Sequence, residues 1–169
     1  MNPKLDLFNA IEARIKTEIP EIKTFKLYNN QFAKEKAEKA FGYPALMVEF
    51  VEVPYITKNE SLQEADLTLI FHLGFASLKT EDRQIFELAQ KVNQSLQGFF
   101  VVDSFSPLNR RRELQDTDHD GVIVWKMEYN TLLSDNTAHR KRRLVLMTTE
   151  VDLEIEKDQS APWLQQLNQ

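Results

Sequence analysis

The stretch ADLTLIFHLGF, residues 65–75, constrains the fold more than any other part of the chain. Leu67, Leu69, Phe71, Leu73 and Phe75 occupy every second position, and successive strand side chains point to opposite faces, so all five line one side of a strand. A helix would scatter them around its circumference. Just upstream, ALMVEFVEV between Pro44 and Pro54 reads as a second strand rich in β-branched and aromatic residues. The polar link YITKNESLQE lets the two pair as a hairpin. Residues 122–129 alternate again, with Ile123, Trp125, Met127 and Tyr129 on one face.

Helical periodicity brackets these strands. Asn2 and Pro3 suit an N-cap and first helical position, and Leu5, Phe8, Ile11, Ile15 and Ile19 recur at three- and four-residue spacing up to Pro20. NQFAKEKAEKAF predicts a charged second helix with a thin apolar edge at Phe32, Ala33, Ala37 and Phe41. A further helix is predicted with Thr80 as N-cap, a buried stripe of Ile85, Leu88, Ala89, Val92 and Leu96, and Gly98 as its stop. EIKTFKLY, SFSPLNRRRELQD and EVDLEIE complete the pattern as short or polar strands. The order α-β-α-β-β-α-β-β-β predicts an α+β domain with a mostly antiparallel sheet and helices packed on one face. With no repeat or linker, residues 1–157 read as one domain and 158–169 as a C-terminal tail.

The chain has 169 residues, of which 42% are hydrophobic, including eleven Phe. That is enough to bury a core without covalent staples. There is no cysteine, which excludes disulfides, thiolate metal sites and Cys nucleophiles. A net charge of −5 gives no global attraction to nucleic acid or to an anionic membrane surface. No apolar run approaches the about 20 residues of a membrane span, and MNPKLDLFNAIEARIK lacks a signal-peptide core. These features predict a soluble cytoplasmic protein with no membrane association.

LQDTDHDGVIVW, residues 114–125, is the run most like a metal motif, because Asp116, Asp118 and Asp120 alternate before Gly121. A calcium loop of the EF-hand type needs an acid at its twelfth position and a helix after it. Counting from Asp116, that position is Met127, and the residues after the glycine are strand formers. A turn between strands is therefore expected, with no metal, and a calcium site of another type on Asp116, Asp118 and Asp120 is the lesser alternative. His72 falls on the strand face opposite the apolar stripe, a solvated or helix-covered position, and His119 lies in the turn where imidazole bonds locally. No nucleophile elbow, zinc-binding His pair or phosphate-cradling glycine loop is present. The chain is thus expected to be neither an enzyme nor a cofactor binder. Two basic clusters, Arg110–Arg112 and HRKRR at 139–143, suit an acidic partner surface. Contact with nucleic-acid phosphates, as an accessory binding domain, is the alternative.

The succession of elements is also specific. An amphipathic helix leads to YPALMVEF, a polar link and QEADLTLIFHL, followed by DRQIFELAQKVNQSLQGF and then FSPLNRRRELQDTDHDGVIVWKMEYNTLL. Over about residues 5–135 this layout resembles the tail terminator or tail-completion proteins of long-tailed bacteriophages and prophages, the minor tail protein U type. HRKRR and the C-terminal tail lie outside the resemblance. It implies a structural homo-oligomer, usually a hexameric ring, that caps the tail tube and faces the head-side connector. It implies no catalysis and no cofactor, and a lumen through which DNA passes without specific binding. The protein would be made in the host cytoplasm and become a virion component. The residues expected at subunit or partner contacts are Tyr55, Lys58 and Glu60 in the link, Arg110, Arg111 and Arg112, and Asp116, Asp118 and Asp120 in the turn.

Overall fold

The computed structural model describes residues 2–33, 41–76, 80–101, 104–117, 119 and 121–138. In chain order these form α1 (Pro3–Glu18), β1 (Thr24–Leu27), a 3-10 turn (Gln31–Ala33), β2 (Ala45–Phe50), β3 (Tyr55–Thr57), β4 (Gln63–Phe75), α2 (Asp82–Leu96), β5 (Asn109–Asp116) and β6 (Ile123–Asp135). Most of the predicted NQFAKEKAEKAF helix, the EVDLEIE strand, Asp118, Asp120, the 139–143 cluster and the tail lie outside the described residues.

The fold is α+β. The sheet runs β1-β2-β4-β6-β5, with β3 joined to β4. β1 is parallel to β2, and every other pairing is antiparallel. β4 is the centre: all 13 of its residues pair with β6 on one side. On the other side β2 covers Leu69–Gly74 and β3 covers Gln63–Ala65. The polar link is therefore organised rather than a free excursion. Asn59 Oδ1 accepts bonds from the Ser61 and Leu62 amides, both at 3.0 Å, and so closes the β3–β4 turn.

The alternation read from the sequence sorts the two faces. Leu67, Leu69, Phe71, Leu73 and Phe75 join Leu46, Val48, Met127 and Tyr129 in one core with both helices. α2 contributes the predicted stripe, Ile85, Leu88, Ala89, Val92 and Leu96, each side chain adding about 1.5–3 kcal/mol when large and fully buried. Tyr129 keeps its hydroxyl satisfied in this core by donating to Asn93 Oδ1 at 3.0 Å. The helices are tied together by Arg14, whose Nε donates to the Ser95 carbonyl at 2.6 Å while its guanidinium lies over the Phe99 ring.

Two helix expectations are corrected. Asn2 does cap α1, accepting from the Leu5 amide, but Leu5 itself is 53% exposed and Leu7 takes its place in the core. At 3.6 residues per turn, Leu7, Ile11, Ile15 and Ile19 drift slowly along one stripe, and Leu5 falls about 100° from its centre. The N-cap of α2 is Glu81 rather than Thr80, and it makes no side-chain cap bond. Asp82 in the first turn complements the helix dipole instead.

The other sheet face carries a smaller apolar cluster of Phe32, Ala45, Met47, Val122 and Val124, with Tyr28, Phe41 and Tyr43 against it. Gly74 makes room for it. A Cβ there would clash with the edge of the Phe32 ring, which is 2% exposed and hemmed in by Tyr28, Phe41 and Tyr43. Gly74→Ala should therefore cost about 1–3 kcal/mol in urea unfolding by overpacking. Combined with Phe32→Leu, which opens the same space, the loss should be less than additive.

Candidate functional site

Two regions stand out: the outer edges of the sheet and a polar cluster on its second face. Among the described residues no strand covers the outer edge of β1 or of β5. β5 is 8 residues long and mostly exposed, although its Arg110 amide is already bonded, donating to Gln97 Oε1 at 2.8 Å. The β1 edge is stepped. β1 reaches only as far as Val48, so Glu49 and Phe50 extend beyond it. At this step lies a groove of about 660 Å³ lined by Leu5, Phe8, Leu27, Tyr28, Glu49 and Phe50, among others. Leu5 and Leu27 are each more than half exposed beside it.

The residues predicted to make contacts are spread over these regions. Tyr55 lies in β3, half-buried against the core, with Lys4 Nζ over its ring. Lys58 pairs with Glu64 at 3.1 Å across the β3–β4 hairpin, and Glu60 is exposed in its turn. Arg110 and Arg112 pair with Glu113 and Glu128 at 3.3 and 2.6 Å. Arg111 sits at a register shift in the β5–β6 pairing, so it is the extra residue of a bulge. It is exposed and makes no ion pair among the described residues. Asp116 does lead a turn between strands, as expected. Its Oδ2 accepts from Lys126 Nζ at 2.6 Å and from His119 Nε2 at 2.9 Å. The carboxylate that would open a calcium loop is thus engaged by a cation and an imidazole.

His72 corrects the sequence reading. It is 1% exposed, and the ring stacked on it at 3.6 Å belongs to Tyr28, outside any helix. Its Nε2 lies 2.8 Å from Glu49 Oε2, and an ionised carboxylate only accepts, so Nε2 carries the proton. Nδ1 is buried with no hydrogen-bond partner among the described residues. A second proton there would create an unsatisfied buried donor. Burial accordingly holds the His72 pKa below its usual value, with Lys126 adding to the effect and Glu49 and Asp116 opposing it. A signal for this cluster was available in the sequence: Ala45, Leu46, Met47 and Val48 are apolar without a break, as in a strand buried on both faces. His72 pairs with Met47 in that strand.

No protein-family model matches the chain, and no curated protein matches it in sequence. Among solved structures it is similar to a chain of the "virion of native gene transfer agent (GTA) particle", at 8% identity and a TM-score of 0.46, over 76% of this chain and 94% of that one. A likeness that remote carries no weight for activity or partners. Among the described residues no group of three or more His, Asp or Glu is placed to hold a metal ion, and no helix is long and apolar enough to cross a membrane.

Because the unfolded chain takes up a proton at His72 before the folded protein does, stability is full above about pH 6.5 and declines as pH falls below it. The slope is at most about 1.4 kcal/mol per pH unit. Unfolding midpoints between pH 7.5 and 5 should show this slope, and His72→Gln should flatten it. Asp116→Ala should lower the midpoint, by about 1–3 kcal/mol in free energy, because it strips Lys126 and His119 of their shared acceptor. Millimolar calcium or chelator should leave the native melting temperature unchanged.

Proposed function

We propose that this chain is a structural, non-catalytic subunit of a long-tailed bacteriophage or prophage particle. Within that class we assign it as a tail terminator or tail-completion protein, which caps the tail tube as a ring and meets the head-side connector. The observation that carries this reading is the sheet itself, whose two outermost strands each have one side without a partner strand among the described residues. Two different open edges on one subunit suit head-to-tail contacts, and such contacts close into a ring when the rotation permits. The layout of residues 5–135, from the amphipathic helix to the aromatic strand, supports the same assignment.

Among the described residues the alternative of a nucleic-acid-binding domain gains nothing from the geometry; its second basic cluster, 140–143, lies outside them. Arg110 and Arg112 spend their charge on Glu113 and Glu128, so β5 offers no continuous phosphate-binding stripe. A net charge of −5 fits a lumen that lets DNA slide without adhering.

Light scattering coupled to size exclusion should show an oligomer of defined mass, alone at high concentration or with tail-tube protein. Electron microscopy should show tubes whose length is fixed when the protein is present. A protein that stays monomeric in both settings and leaves tube length uncontrolled would refute the assignment.

A further inference from the structure

We infer that the β5 edge of one copy docks on the stepped β1 edge of a second copy, with Arg111 meeting Glu52 and Leu114 entering the groove beside β1. This rests on the ring-forming reading and names the surface that would build the ring. Leu114 is 43% exposed although it is apolar, and it lies in the open edge of β5. The groove at the opposite end of the sheet is apolar at Leu5, Phe8, Leu27 and Phe50. Among the described residues it has no strand over Glu49 and Phe50, where β1 has already ended. An incoming strand there would find backbone groups to pair with and a pocket for one side chain, which is how strand addition combines affinity with specificity.

Charge selects the occupant. Arg110–Arg112 is a cationic run, and Arg111 has no acid of its own among the described residues. Glu52, two residues beyond Phe50, is exposed and likewise makes no ion pair among them. Antiparallel pairing of two β5 edges around this cluster would set arginine against arginine, which is unfavourable. The unlike edge, with Glu49 and Glu52, is therefore the favoured partner.

The absence of cysteine from the chain makes a cross-linking test clean. Within one subunit β5 lies three strands from β2, about 14 Å at the usual spacing. A disulfide spans at most about 7 Å between Cα atoms, so any 52–111 link must join two copies. Arg111→Cys and Glu52→Cys would be oxidised singly, mixed and combined, both in solution and on tail tubes. The double variant should give a ladder of covalent multimers that ends at the native oligomer mass. The mixed single variants should stop at a dimer, and each single variant alone should give none. In parallel, Arg111→Glu and Glu52→Arg should each abolish oligomers, and mixing the two should restore them, because every contact in an alternating ring is then complementary.

Dimers from Arg111→Cys alone would mean like edges pair, and would overturn the inference. A native oligomer that neither cross-links nor responds to the charge reversals would also overturn it, while leaving the ring-forming reading intact. A native protein that remains monomeric and caps no tube would remove that reading and this surface with it.

Discussion

Everything in this fold hangs on β4. It pairs along its whole length with β6 on one side and with β2 and β3 in tandem on the other. Its alternate residues anchor the large core, and the intervening His72 and Gly74 face the smaller cluster. A strand fixed in this way cannot slip by one residue, because a slip would exchange Leu69 and Phe71 for Ile70 and His72. Register is thus set once, and the neighbouring strands inherit it.

That dependence explains what the sequence disclosed. Period-two alternation in 65–75 and 123–129, and the apolar stripe of α2, were legible because they decide which side chains face the large core, even though His72, Gly74 and Val124 on the opposite face are buried as well. The turn at Asp116 was legible because a missing acid at Met127 and a β-branched run after Gly121 contradict a calcium loop. Features set by a single contact between distant segments were not legible. The covering of His72 depends on Tyr28, which is 44 positions away in sequence and arrives from the end of β1. The stepped edge depends on where β1 stops, and length of pairing leaves little trace in a four-residue strand. Leu5 was misplaced because three- and four-residue spacing fits several stripes, and only packing chooses among them.

The two sheet faces therefore have different chemistry. One is an ordinary apolar layer under α1 and α2. The other mixes aromatic rings with His72, Glu49, Lys126, Asp116 and His119, each bonded to a neighbour within the group. Polar groups linked in this way tolerate few alternative arrangements, although Nδ1 of both His72 and His119 is buried without a hydrogen-bond partner among the described residues. This orders the strand ends near the β5–β6 turn and the end of β1, the same strands whose outer edges stay open.

The interruption between β2 and β3 has a consequence in parity. Phe50 pairs with Leu69 and Tyr55 with Ala65, so five steps along one chain answer four along the other. Phe50, Val53 and Tyr55 nevertheless all rest on the same core. Strict alternation over an odd number of steps would have turned Tyr55 to the opposite face. The departure from strand geometry at Val51–Pro54 absorbs the odd residue. Those four positions act as a counting correction, and their number, more than their composition, decides which way the following hairpin faces.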